Sequence, residues 1–328
     1  MKDILQKLFQ YKTLSRKEAS EVLKNMSKGI YSDTEIASFV TVFLMRTISL
    51  DELQGFRDAL LELCIPVKID ADAIDIVGTG GDGKNTFNIS TLSSFIVAGA
   101  GFAVAKHGNY GATSISGSST VMEKLGYSFS SDPEKLKKEL DETNICFLHA
   151  PQFHPALKAV APVRKNIGVR TFFNMLGPLV NPCTNTTRMI GVSNLEIARL
   201  YRYLLEKEEK NFAIIHSLDG YDEISLTSDT RVITHEGDQT FDAMYLGKRT
   251  ASQADLYGGN SPDEAAKIFY KIIDRQGTWA QNAVVMANAA MAIKTLTGKD
   301  YDECYGLSME SLESGKAFNH FKKLMSLQ

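Results

Sequence analysis

Only four cysteines stand in the 328 residues, Cys64, Cys146, Cys183 and Cys304, with no CxxC pair and no metal-ligand spacing. That excludes a disulfide scaffold and a cysteine-held zinc, and it fits buried, reduced thiols in a cytoplasm. A basic block is also missing: the net charge is −3 and the lysines and arginines are spread along the chain. No global field draws nucleic acid, so any anion is bound at a local site. No apolar run approaches a membrane span, since FVTVFLM at 39–45 is too short, and the opening MKDILQKLFQ is not a signal peptide. What is present, 44% hydrophobic and 23% charged residues, suits a soluble protein with a large core and room for two domains.

Residues 1 to about 66 read as helices alone. Capping boxes at Ser15/Glu18, Ser32/Glu35 and Ser49/Glu52 each open a segment with apolar residues at helical spacing, such as Ile36, Phe39, Val40, Phe43 and Leu44. Pro66 ends this bundle of four short helices. Beyond it, short apolar strands alternate with helices, the pattern of an α/β layer with parallel strands. Strands are expected at 73–77, 102–106, 145–148, 188–192, 212–216, 231–235 and 240–246, with late helices at 262–276, 280–295 and from 301 to the end. Five of the eight prolines, Pro151, Pro155, Pro162, Pro178 and Pro182, fall between His149 and Pro182, a stretch that reads as a crossing between domains.

The stretch DIVGTGGDGKNTFNIST at 75–91 reads as strand, glycine loop and helix, with Asn88, Ser90 and Thr91 as candidate N-caps. Gly78, Gly80, Gly81 and Gly83 let backbone N–H groups turn inward, and the helix adds its positive end, so the loop suits a phosphate or pyrophosphate. It fits GxGxxG, but a dinucleotide site needs an acid roughly 20 positions on, and none lies between Asp82 and Glu123. It also fits GxxxxGK, yet Asn85 stands where a P-loop needs Ser or Thr. The second strand runs into His107, Gly108, Asn109, Tyr110 and Gly111, a second loop at a strand's carboxyl end, and Ser118 or Ser119 is a candidate cap for the next helix. His149 and His154, five apart around Pro151, do not share a helix face and make no zinc pair. Arg164 by itself is as compatible with a solvated surface charge, the default for a lone arginine, as with a functional role. Asp219, Asp222 and Glu223 crowd one loop; adjacent carboxylates repel unless a cation lies between them, and both magnesium and a solvated acidic turn satisfy the loop by itself.

GTGGD at 78–82, NIST at 88–91, KHGN at 106–109, VR at 163–164, RTFFNMLGPLVNP at 170–182 and DGYDE at 219–223 together resemble the anthranilate phosphoribosyltransferases of tryptophan biosynthesis, in order along essentially the whole chain. The resemblance implies an α/β fold like that of the nucleoside phosphorylases. It has a small helical domain, residues 1–66 with return helices near 155–180, and a large α/β domain, residues 67–328, with a mainly parallel central sheet. It further implies an active site in the hinge cleft, a homodimer through the helical domain, a cytoplasmic enzyme without nucleic-acid or membrane partners, and Mg2+ as cofactor. The implied reaction moves the phosphoribosyl group of 5-phosphoribosyl 1-pyrophosphate (PRPP) to the amine of anthranilate, giving N-(5-phosphoribosyl)anthranilate and pyrophosphate.

Carried over position by position, the resemblance assigns PRPP contacts to Gly78, Gly81, Asp82 and Thr86, and to Asn88, Ile89, Ser90 and Thr91. It extends them through Lys106, His107, Gly108, Asn109, Tyr110, Gly111, Ala112, Thr113 and Ser114 to Ser118. Ser90, Asp222 and Glu223 handle magnesium. Asn109 and Arg164 hold anthranilate, His107 and Pro178 line its entry, and Gly78 touches both substrates. Lys106, Arg164 and Asn109 carry the catalytic roles. An aromatic amine is neutral near pH 7, so the reaction needs no strong base; it needs charge stabilisation for the departing pyrophosphate and for an oxocarbenium-like centre.

Three positions depart from the family's pattern: Tyr110 for a common Arg, Gly111 for a usual Ser, and Thr120 where Asp is frequent. They bear on substrate affinity and loop motion. A pyrimidine nucleoside phosphorylase of the same fold tends to carry Ser and Thr after KH, where Gly108 and Asn109 stand here, and lacks the acidic pair. A noncatalytic nucleic-acid binder predicts a basic groove and decayed acids. A transferase for a different aromatic amine is opposed by Arg164, Asn109 and His107.

Overall fold

The computed structural model describes residues 1–111, 115–208 and 210–328. The chain divides into two compact units, Met1–Val67 with Ala150–Thr184, and Lys68–His149 with Asn185–Gln328.

The first unit is helical. Helices Arg16–Ser27, Asp33–Met45 and Leu50–Leu63 each open on a complete capping box, at Ser15/Glu18, Ser32/Glu35 and Ser49/Glu52, behind a first helix Lys2–Phe9. Phe39, Phe43 and Phe56 project inward from this bundle, and Phe172, from the later segment, stacks on Phe56 with ring centres 4.6 Å apart and lies 4.9 Å from Phe43. Burying each phenyl contributes about 1.5–3 kcal/mol, so this cluster binds residues 150–184 to the N-terminal helices.

The second unit is built on one seven-stranded sheet in the order β3-β2-β1-β4-β5-β6-β7. The strands are β1 (Ala73–Gly78), β2 (Ala103–Gly108), β3 (Ile145–His149), β4 (Thr187–Gly191), β5 (Phe212–Ser217), β6 (Thr230–Thr234) and β7 (Gly237–Phe241). β1 to β5 run parallel, and β6 and β7 turn back antiparallel. The expected α/β class and mainly parallel sheet hold. Helix Ile89–Gly99 is buried along nearly its whole length, because it is covered by Trp279–Thr297 and Lys316–Ser326. An apolar surface on all sides is what such a sandwiched helix requires.

Four local expectations are corrected. Residues 240–246 are not one strand: β7 ends at Phe241, and Asp242 caps a short helix Ala243–Gly247 by accepting from the Met244 N–H. The final helix is broken at Gly315 (φ +81°) into Tyr301–Glu313 and Lys316–Ser326. Ser118 is the first residue of its helix and not its cap; that position belongs to Gly117, whose Cβ would lie 2.1 Å from the Gly111 nitrogen. Asn88 precedes its helix but caps nothing, since its side-chain amide donates to the Ser116 carbonyl at 3.1 Å.

Candidate active site

β1 lies where the strand order reverses, between β2 and β4, which in an open α/β sheet is the ligand crevice. Two glycines, Gly78 and Gly191, face each other in register at the ends of β1 and β4. Both make room for one loop: a Cβ on Gly78 would lie 2.4 Å from the Asp222 carboxylate, and one on Gly191 only 1.5 Å from the Asp222 carbonyl.

After Gly78 the chain turns through Gly80, Gly81 and Gly83 at φ +63°, +66° and +75°, angles that favour glycine. The Gly80 N–H donates to Asp222 Oδ2 at 2.6 Å, and Asp82 accepts from the Lys84 N–H at 3.0 Å. The far half of the loop is held by a segment that the sequence reading missed. Phe87 N–H donates to the Leu256 carbonyl at 3.1 Å, Gly258 N–H to the Asn85 carbonyl at 2.8 Å, and Thr86 bridges Tyr257. At the helix start, Ile89 and Thr91 turn into the core, while the Ser90 N–H donates to Glu223 Oε1 at 3.0 Å. The two loops thus meet through backbone amides on one side and carboxylates on the other.

Lys106 sits inside β2, almost wholly buried, and donates from Nζ to the Ile76 carbonyl at 2.5 Å and to Ser90 Oγ at 3.4 Å. Burial pulls its pKa down to about 8, with Asp75 and Glu223 acting in the opposite direction. The His107 N–H donates to Asp75 at 3.1 Å, fixing the strand that carries both residues. Gly108 passes so close to Ser118 that a Cβ would lie 2.6 Å from its hydroxyl. Asn109 is exposed; its side chain accepts from the Tyr110 N–H, and its carbonyl accepts from Ser118 Oγ and Ser119 N–H. Tyr110 is exposed too, with its hydroxyl on Glu123 at 2.7 Å and its ring edge-on to His149. Ala112, Thr113 and Ser114 lie outside the described residues.

The acidic crowd is composed differently from the reading of its sequence. Asp219 turns away and accepts from Thr227 and Ser228 hydroxyls at 2.5 and 2.7 Å, bracing its own loop. The third charge beside Asp222 and Glu223 is Asp82, from the glycine loop. Burial first, and Asp82 second, push the Asp222 pKa up to about 7; burial, then Asp222 and Asp82, push Glu223 well up. A cavity of about 10 Å³, the size that admits one water-sized particle, is lined by Gly78, Ser90, Gly191, Asp222, Glu223 and Asn288. Among the described residues no three His, Cys, Asp or Glu side chains form a complete metal cage. Magnesium asks less, since it is commonly held by one or two carboxylates plus substrate phosphates.

Arg164 and Pro178 belong to the helical unit. Arg164, on helix Ala161–Ile167, lies half-buried with its guanidinium 5.3 Å from the Phe173 ring centre, and burial lowers its pKa. Pro178 is buried in a short turn, Gly177–Leu179. His149 accepts or donates at Ser119 Oγ, 2.8 Å away, and stacks on Phe129; His154 is buried in the helical unit.

Loop amides, a buried lysine and a carboxylate pair gather at the switch point, a donor set of the kind found in enzymes that act on phosphorylated substrates. The comparisons agree with that class. Residues 2–64 match the glycosyl transferase family's helical bundle domain, and residues 70–318 its a/b domain. The anthranilate phosphoribosyltransferases of Christiangramia forsetii and Flavobacterium johnsoniae are 54% and 55% identical over 100% of this chain and 99% of theirs. The anthranilate phosphoribosyltransferase structure from Thermus thermophilus superposes with a TM-score of 0.90 at 31% identity, covering 98% of both chains. A Saccharomyces cerevisiae structure in complex with PRPP and Mg, 24% identical over 98% of this chain and 96% of that one, shares the fold with a TM-score of 0.89. The chain belongs to the anthranilate phosphoribosyltransferase family.

Proposed function

We propose that the carboxyl ends of β1, β2 and β4 carry out this family's reaction with the residues named above. The enzyme transfers the phosphoribosyl group of PRPP to the amine of anthranilate, in tryptophan biosynthesis. One observation supports the residue assignment: Asp222, buried, and Glu223, partly buried, accept from the Gly80 and Ser90 amides and so set two carboxylates against the glycine loop.

Burial raises the pKa of both carboxylates, Asp82 raises both further, and Asp222 adds to the rise at Glu223, with Lys106 the one cation that opposes it there; the donor set fits magnesium, with Ser90 Oγ as a neutral oxygen. Bound there, the ion would neutralise the leaving pyrophosphate. Gly78, Gly81, Asp82, Thr86 and the 88–91 turn cradle PRPP, with Lys106 adding positive charge behind Ser90. His107 to Gly111 and Ser118 close the loop around it. Arg164 forks onto the anthranilate carboxylate and Asn109 steadies the acceptor, so that its neutral amine faces C1 of the ribose; His107 and Pro178 line the approach. Attack forms the C–N bond as the C1–O bond to pyrophosphate breaks, and the amine proton leaves to solvent.

The protein acts as a homodimer through the helical unit, whose surface exposes Phe9, Tyr11 and Met45 at 62%, 86% and 84%. It works in the cytoplasm, consistent with four free cysteines. Among the described residues, no helix is long and apolar enough to cross a membrane.

Anthranilate fluorescence tests the reading. It decays only with protein, PRPP and Mg2+ all present; decay without PRPP, or none at all, overturns it. Arg164→Ala raises the KM for anthranilate roughly 10- to 100-fold, the worth of a charged hydrogen bond. An unchanged KM removes Arg164 from the acceptor site.

A further inference from the structure

We propose that Asn288 and Ser217 are positioning residues for the acid pair, holding the backbone of residues 223–225 at four points so that Asp222 and Glu223 are presented in one geometry. The inference rests on the reading of that pair as the magnesium ligands.

Ser217, the last residue of β5, donates from Oγ to the Glu223 carbonyl at 2.6 Å and accepts from the Ser225 N–H at 3.2 Å. Asn288, in the middle of helix Trp279–Thr297, accepts from the Ile224 N–H at 3.0 Å and donates to the Ile224 carbonyl at 2.8 Å. Its remaining amide hydrogen goes to the Val284 carbonyl, one turn back on its own helix, at 2.9 Å. One donor and two acceptors face this amide, so a single orientation of the side chain satisfies all three.

Both residues are buried, at 0% and 1% exposure, and Asn288 stands in an otherwise apolar stretch, AVVMANAAMA. A buried amide is costly unless fully hydrogen-bonded, and an apolar residue would fill the helix face as well. What Asn288 adds is a grip on the residue after Glu223. From the other side, the Ser217 N–H holds the Tyr221 carbonyl at 3.0 Å, and Gly191 admits the Asp222 carbonyl. Asn288 also lines the cavity between the carboxylates and Ser90. The loop therefore cannot relax to separate its like charges, and the pair is kept poised for a cation.

The test is Mn2+ binding to the full-length protein with PRPP present, followed by the electron paramagnetic resonance of free Mn2+, alongside the Mg2+ dependence of turnover. Asn288→Ala and Ser217→Ala are expected to raise the half-saturating metal concentration roughly 10- to 100-fold, while the KM for anthranilate moves less than about threefold. Ser217→Thr, which keeps the hydroxyl, is expected to restore most of the loss. If Asn288→Ala does not fold, Asn288→Asp keeps the acceptor for Ile224 and loses the donors, and the same weakening is expected. Native metal titration in a folded Asn288 or Ser217 variant overturns the positioning role. Native titration in Asp222→Asn/Glu223→Gln overturns the metal assignment itself, and the inference with it.

Discussion

The two loops that meet at the ends of β1 and β4 are built on opposite plans. The glycine loop presents positive charge from its backbone, so it is written in residues that free the backbone: three glycines at positive φ, backed by the 256–259 segment. The acid loop presents negative charge from its side chains. Its backbone is therefore immobilised by other side chains, Ser217 and Asn288, and abutted by Gly191. A backbone site needs freedom of dihedral angle, whereas a side-chain site needs a rigid mount, and the supports of the second come from elsewhere in the sequence.

Gly191→Ala tests that contrast most severely, because the added methyl falls 1.5 Å from the Asp222 carbonyl and the mount must shift. Stability falls by about 1–3 kcal/mol in urea unfolding. Turnover falls on the order of a hundredfold from misplaced carboxylates. Normal magnesium dependence in this variant would mean that the acid loop tolerates displacement and is not rigidly mounted.

The difference between the loops also explains what the sequence disclosed. The glycine loop was legible because its glycines are written contiguously. The three capping boxes and the strand–helix alternation were legible because each depends on neighbours three or four residues apart. Asn288 was not: its partner Ile224 lies 64 positions away, and a lone asparagine among alanines has many meanings until the fold brings it to a loop. Asp219 misled because its neighbours along the chain are acidic, yet its hydroxyl partners follow it at 227 and 228. The 240–246 segment alternates like a strand but contains Asp242, which caps a helix.

A second test uses pH. Asp222 titrates near 7 in the fold against about 4 when unfolded, so its raised pKa favours the folded state fully only below about pH 4. That contribution declines as pH rises and is gone above about 7; Glu223 acts in the same direction. In chelator, the thermal midpoint is expected to fall between about pH 5 and pH 8, less so in Asp222→Asn, and Mg2+ is expected to recover more at the higher pH. Equal pH dependence with and without Asp222 would sever the link between repulsion and metal demand.

The smallest effect is expected at Tyr110, whose exposed hydroxyl bonds Glu123. Tyr110→Phe should change stability by less than about 0.5 kcal/mol and the KM for PRPP by less than about threefold. A larger rise in KM would mean that the Tyr110 hydroxyl itself, and not only the backbone of its loop, serves the phosphate site.

The pairing of β1 with β4 has a consequence for how the protein comes off the ribosome. Ile74 meets Thr187 only after the chain has made the first half of the sheet and the whole returning helical segment. The helix Ile89–Gly99 waits longer still, because its cover is supplied by Trp279–Thr297 and Lys316–Ser326 at the far end of synthesis. Contacts so distant in sequence form slowly. The nascent chain therefore carries an uncovered apolar helix for most of its translation, and chaperone capture should be strongest just before these two covering helices emerge.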